Sequence, residues 1–248
     1  IVQAAVEAAK PFGIPVTVKM RIGIDTDHHT YLEAAKSASD SGVAWVALHA
    51  RTAQQMYEGQ ADWSAIKNLV EHLKPTGVPV LGNGDIWSGA DGVRMVKETG
   101  CAGVVVGRGC LGRPWLFADL VESFNGGEKK VLPTLHQVSE VMYRHGELIV
   151  DYFESEDRGC RDLRKHMAWY LKGFRVHSEL RRQFGMVGSL NELRSLLNQL
   201  DDQPYPVDVA EKPRGRTSSG RPPTLPDGWL NDPDEMIHLD AEDMFSGG

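Results

Sequence analysis

The sequence predicts an α/β fold: the C-terminal half of a TIM-type (β/α)8 barrel followed by an all-α helical bundle domain. Three observations carry this. Short apolar, β-branched runs alternate with helical patterns as far as residue 125, the arrangement of a parallel sheet built from βαβ units. Pro79-Val80-Leu81-Gly82-Asn83-Gly84-Asp85 and Gly103-Val104-Val105-Val106-Gly107-Arg108-Gly109 each end an apolar strand in glycines and polar or cationic side chains. Such loops after the last strands of a barrel form its usual phosphate cradle. After Thr134 the pattern becomes helical only. A complete barrel needs eight strands, and the sequence supplies half that number. The polar strand-end residues nevertheless occur on every strand, whereas an open sheet gathers its site at one switch point.

Each element has a local cause. Val2, Ala5, Val6 and Ala9 share a helical face, and Pro11 and Gly13 close that helix. Residues 15–21 form a strand ending in Lys19 and Arg21. A helix around Ala34–Ala38 stops at Gly42, and the strand at 44–49 runs into His49-Ala50-Arg51-Thr52. Trp63 to Leu73 is helical, stopped by Pro75 and Gly77. Strand 79–83 precedes a helix whose N-cap is Ser88, with Asp91 three residues on. Gly100 ends that helix, strand 103–107 follows, and a helix spans 114–124. Thr134 with Gln137 and Ser189 with Glu192 match capping boxes. Three apolar stripes, from Val138 to Tyr152, Leu163 to Phe174 and Leu190 to Leu200, give the helical domain its core. The expected domains are therefore 1–125, the barrel half, and 130–202, the helical domain. Residues 203–248, rich in Pro, Gly, Asp and Ser without period, are expected to be disordered.

Composition excludes several classes. The 248 residues are 41% hydrophobic and 25% charged with net charge −7, so the whole molecule is no polycation and any nucleic-acid contact needs a local basic face. Cys101, Cys110 and Cys160 lack metal or redox spacing, which suits a reducing, cytoplasmic setting and predicts no metal. No apolar run reaches membrane-spanning length, so no membrane partner is expected. The chain opens on Ile1 inside a helical pattern, which reads as something other than a natural start.

Lys19, Arg21, His49, Arg51, Asn83, Asp85 and Arg108 all stand at strand ends. Any one of them alone reads as a solvated rim residue. Together on successive parallel strands they point to a ligand site. A cationic cluster beside a phosphate cradle suits a phosphorylated, electron-accepting cofactor, and a lysine near a flavin's N1/O2 edge would stabilise the anionic reduced ring.

Five stretches stand in a particular order and spacing. They are Val18-Lys19-Met20-Arg21-Ile22-Gly23, His49-Ala50-Arg51-Thr52, Tyr57-Glu58-Gly59-Gln60-Ala61-Asp62-Trp63, Gly82-Asn83-Gly84-Asp85-Ile86 and Gly107-Arg108-Gly109-Cys110-Leu111-Gly112-Arg113-Pro114-Trp115. This set resembles the flavin-dependent tRNA-dihydrouridine synthases, their bacterial B-type branch above all. The run Asp162-Leu163-Arg164-Lys165-His166-Met167-Ala168-Trp169-Tyr170-Leu171-Lys172-Gly173 resembles that family's tRNA-binding helical domain. The likeness covers about residues 1–200. It implies an FMN-binding barrel that reduces the C5–C6 bond of uridine in tRNA with NADPH as reductant, and a monomer when complete. By that likeness Lys19 and His49 contact the flavin; Asn83, Gly84 and Asp85 cradle its ribityl chain and phosphate; Gly107 and Arg108 hold the phosphate. Arg21 and Tyr57 fall where the family meets the flipped uracil, and Arg51 is grouped with them as substrate-binding.

One part of the family pattern has no counterpart. The family's acid is a cysteine in the first half of the barrel, and Cys101, Cys110 and Cys160 are no stand-ins. The chain therefore reads as a fragment, inactive alone. Arg161, Arg164, Lys165, Lys172 and Arg175 make a basic face, with Arg164 and Lys165 as tRNA contacts, but charge alone does not separate an RNA surface from a solvated helix. His166 reads as packed, and Trp169 as core. Two other readings stay open: another FMN- or phosphate-binding barrel, such as a dihydroorotate dehydrogenase relative, and a non-catalytic RNA-binding module. Strands 15–21 and 103–109 are expected to be unpaired edges that invite self-association.

Overall fold

The strands lie side by side in chain order because each is followed by a helix long enough to return the chain to the same end of the sheet. The computed structural model describes residues 1–215, 219–226 and 228–230. Among them α1 (Val2–Ala9) leads to β1 (Val18–Arg21), α2 (Tyr31–Asp40), β2 (Val46–His49) and α3 (Trp63–Leu73). Then come β3 (Val80–Asn83), α4 (Gly89–Thr99), β4 (Gly103–Val105) and α5 (Leu116–Phe124). The four strands are parallel, in the order β1-β2-β3-β4.

Register fixes the site. Arg21 pairs with His49, His49 with Asn83, and Asn83 with Val105, so one row of side chains crosses the sheet at its carboxyl end. Paired residues share a face. Val46, Leu48 and Val80 on the other face join Leu69, Ile66, Ala35 and Met95 from the helices in a continuous core. Every residue of β2 is buried, whereas Lys19 on β1 is exposed. Strand limits are shorter than the sequence suggests at both ends. Pro15 and Pro79 have no N–H to give a ladder, and past Val105 the chain turns into a 3₁₀ turn at Arg108–Cys110.

A second core lies among α6 (Leu135–Phe153), α7 (Glu156–Tyr170), α8 (Ser178–Phe184) and α9 (Leu190–Leu197). Val138, Met142, Leu163, Met167, Phe184 and Leu193 fill it. Both halves of the capping boxes at Ser88–Asp91 and Thr134–Gln137 form. At Ser189 only half does: the hydroxyl accepts from Glu192 N–H, while the Glu192 carboxylate turns back to Gly188 N–H at 2.8 Å. Gly112, at φ 60°, lies on the α7 backbone; a Cβ there would stand 2.4 Å from Trp169 C.

Residues 203–215 correct an expectation. In place of disorder they form α10 (Val207–Ala210), bury Ala210, and bury Arg214 to 3% exposure. Long-range hydrogen bonds supply the order that the composition does not announce. The same expectation for 216–218, 227 and 231–248 lies outside the described residues. No helix among the described residues is long and apolar enough to cross a membrane.

Candidate active site

At the carboxyl ends of the strands lies a cavity of about 290 Å³. β1 contributes Lys19 and Arg21, β2 contributes His49, the loop after β3 contributes Asn83, Gly84 and Asp85, and the loop after β4 contributes Gly107 and Arg108. Tyr57 reaches in from the loop after β2. The structure thus brings together nine of the residues singled out in the sequence.

The loop after β2 stands upright because cations grip its carbonyls. Arg21 Nη1 donates to Thr52 O at 2.8 Å and Met56 O at 2.9 Å. Arg51, only 1% exposed, donates from Nη2 to both Asp85 oxygens at 2.9 Å and to Gly59 O at 2.6 Å, and from Nε to Glu58 O at 3.1 Å. Asp85 also accepts from Ala61 N–H at 2.7 Å. Its φ of 54° is left-handed, uncommon for a non-glycine residue.

Two of the expected site residues also hold each other. Arg51, expected to meet substrate, is walled into the protein and does not line the 290 Å³ cavity. Asp85, expected to cradle a cofactor, spends its carboxylate on Arg51 and Ala61. Among the described residues Arg51 Nη1 is buried with no hydrogen-bond partner; Arg51 lines an adjoining cavity of about 560 Å³ together with Trp63 and Trp87.

Glycines admit the close approaches. Gly84, at φ 131°, presses on Ala61, where a Cβ would sit 2.7 Å from the Ala61 Cβ, whereas a Cβ at Gly107 would meet nothing within 4 Å. The Gly107 backbone therefore borders open space. Asn83 Nδ2 donates to Val105 O at 2.7 Å and locks the ends of β3 and β4 together. The Arg108 guanidinium lies 4.4 Å from the Tyr57 ring centroid and 5.3 Å from that of Trp87. Trp87 was not singled out in the sequence; its signal is an aromatic directly after the Gly-Asp-Ile turn.

The electrostatics favour an anion. Lys19, Arg21 and Arg108 line the cavity with a single carboxylate, Asp85, which pairs with Arg51 at 2.9 Å and stands 3.6 Å from Arg108. Burial, followed by Arg21, Lys19, Arg51 and Arg108, pushes the His49 imidazole down to about 3, so it is neutral at neutral pH. Burial and then Arg21 lower Lys19 as well. Cationic groups crowded with one counter-charge and an adjacent open backbone fit a phosphorylated anion.

The helical cations are placed otherwise. Arg164 Nε donates to Val187 O at 2.8 Å, tying α7 to the segment after α8. Lys165 is exposed but pairs with Asp162 at 2.6 Å, and Arg161 pairs with Asp157 at 3.0 Å. Lys172 Nζ donates to Pro213 O at 2.7 Å. Most of the expected basic face is thus spent on local partners. His166 lies against His145, with ring centroids 4.8 Å apart. Cys101 and Cys160 are buried, and burial pushes the half-buried Cys110 thiol up. Among the described residues no group of three or more His, Cys, Asp and Glu is placed to hold a metal ion.

A parallel α/β domain whose strand ends converge on a cationic, glycine-bordered cavity is consistent with the class of TIM-barrel-type domains, which carry their sites at that end of the strands. The particular family follows from comparison. The dihydrouridine synthase (Dus) family model matches residues 1–204, and the chain belongs to that family. It is 53% identical over 250 residues to the probable tRNA-dihydrouridine synthase of Mycobacterium leprae (strain TN), covering all of this chain and 64% of that protein. The corresponding protein of Mycobacterium tuberculosis (strain ATCC 25618 / H37Rv) is 52% identical, with 63% of its length covered. That of Rickettsia bellii (strain RML369-C) is 40% identical over 192 residues, 77% of this chain and 56% of that protein. The chain therefore spans less than two thirds of the length of these relatives.

Proposed function

We propose that this chain carries the flavin-binding wall of a tRNA-dihydrouridine synthase, which reduces uridine in tRNA to 5,6-dihydrouridine with FMN as cofactor and NADPH as reductant. The observation that carries the reading is the convergence of Lys19, His49, Asn83 and Arg108 on one cavity with an excess of positive charge. The relatives are named for that activity. In this reading residues 1–125 are the second half of the barrel and 130–202 a tRNA-binding helical domain.

The residues divide the work. Gly107 N–H and Arg108 would hold the phosphate, with Asn83 and Gly84 beside the ribityl chain. Lys19 would face the pyrimidine edge of the ring system, and His49, kept neutral by burial and then by its cationic neighbours, would lend a hydrogen bond without adding charge. Asp85 and Arg51 support this wall from behind by fixing the loop that carries Tyr57. Arg21 and Tyr57 would border the uracil, a base that single-stranded loops release from its stack at low cost. When bound, the flavin supplies the hydride accepted at C6 of uracil. Protonation at C5 needs an acid, and none of the three cysteine thiols lines the cavity. The chain alone is accordingly expected to make no dihydrouridine.

The test is a fluorescence titration of the chain with FMN. Saturable binding that weakens at least about tenfold in Arg108→Ala, roughly the 1.4 kcal/mol of one charged contact, supports the reading. Absence of FMN binding sinks it. The family match disfavours a dihydroorotate dehydrogenase relative, and the locally paired helical cations give no specific support to a stand-alone RNA-binding module.

A further inference from the structure

The family match ends at residue 204, yet the chain continues back across the candidate site. Tyr205 wedges its ring between Trp115, at 5.8 Å, and Phe174, at 6.1 Å. After α10, Arg214 Nη1 donates to Leu111 O at 2.6 Å and Trp169 O at 3.4 Å, and Nη2 donates to Ala210 O. Leu111 immediately follows the 3₁₀ turn that bears Arg108. One buried guanidinium thus joins the phosphate loop, the end of α7 and the segment itself. Lys172 Nζ braces the same stretch through Lys212 O at 3.2 Å and Pro213 O at 2.7 Å.

Next comes Gly215, at φ 93°, laid on the stem of Arg108; a Cβ there would fall 2.7 Å from Arg108 Cδ. The Arg108 side chain is consequently enclosed between this backbone and the Tyr57 and Trp87 rings. Farther on, Gly220 N–H donates to the Glu58 carboxylate at 2.6 Å and Arg221 N–H to Gln54 O at 2.9 Å. These bonds grip the loop that presents Tyr57. The mycobacterial relatives align over the whole chain, this segment included.

We propose that residues 205–215, together with 219–221, act as a strap that positions Arg108 and the Tyr57 loop and thereby sets the affinity of the cavity for a phosphate monoester, with Arg214 as its positioning residue. The physical argument is preorganisation. A mobile arginine side chain surrenders rotamer entropy when it grips an anion; one already enclosed gives up less. If the segment served only to cover apolar surface, a leucine at 214 would suffice, without burying a guanidinium that burial holds down at about 10. The choice of FMN as probe rests on the flavin reading; the holding of the two loops does not.

The experiment uses the full chain and three variants, Arg214→Ala, Arg214→Lys and Gly215→Ala. Backbone hydrogen exchange is followed at 54–58 and 107–111, and dissociation constants are measured for FMN and for riboflavin, which lacks the phosphate. Arg214→Ala and Gly215→Ala are expected to speed exchange at both loops about tenfold while α6 and α9 stay protected. They should weaken FMN about tenfold with little change for riboflavin, and Arg214→Lys should recover part of the loss. Unchanged exchange at both loops overturns the proposal, as does an equal weakening of FMN and riboflavin. Should the parent chain bind neither flavin, the flavin reading fails while the exchange result still decides whether the strap holds the loops.

Discussion

At Asp85 one carboxylate fixes a buried guanidinium and a backbone N–H from a loop more than twenty residues away. Removing it leaves Arg51 buried with its main counter-charge gone, which costs far more than a surface pair. Asp85→Ala should therefore lose about 3 kcal/mol in urea denaturation, and a loss under about 0.5 kcal/mol, the size of a surface effect, would return Asp85 to the role of ligand. His49 gives a pH prediction. Its folded pKa lies far below 6.5, so on acidification the unfolded chain takes the proton first. The stabilisation is fully present above pH 6.5 and drains away as pH falls toward about 3. Between pH 6.5 and about 5 the loss amounts to about 2 kcal/mol. His49→Gln should flatten that part of the urea midpoint against pH; an unchanged slope would refute the assignment. Residues such as Asn83 and Arg108 were legible because each closes an apolar run beside a glycine. The duty of Arg51 and Asp85 to each other was not, since 34 residues separate them and no local period links them.

Elements were read best where their ends carry chemistry. Ser88 and Thr134 cap helices with both halves of the box in place, and Ser88→Ala should cost about 1 kcal/mol in the same assay; no change would mean that α4 is held by packing alone. α8 escaped notice because its seven residues bury only Phe184, too few for a stripe. Arg164 looked like a free cation on a helical wheel. Its actual partner is the carbonyl of Val187, which periodicity cannot foresee. Gly112 lies against the α7 backbone, and no Cβ fits there. Gly112→Ala should destabilise by about 2 kcal/mol or more through left-handed strain and overlap. A neutral result in denaturation would mean that the α7 backbone yields.

For the whole molecule, the sheet order leaves β1 and β4 each paired on one side among the described residues. Phe12 and Ile14, 77% and 60% exposed, lie just before β1. Open ladders beside apolar side chains attract further strands, so sedimentation should reveal association that grows with concentration; a single monomeric species across the range would contradict this. Parallel α/β order and a separate helical core were visible in the alternation of patterns. Residues 203–215 were misread because composition reports average hydrophobicity, whereas a few distant bonds hold them. Those bonds also have a consequence in time. The Arg214–Leu111 link spans 103 positions and the Gly220–Glu58 link 162. Neither can close before the distant loop that receives it is in place. The strap is thus the last piece to arrive during folding and the first to leave, so a protease at limiting dose should clip the C-terminal segment while both hydrophobic interiors are still intact.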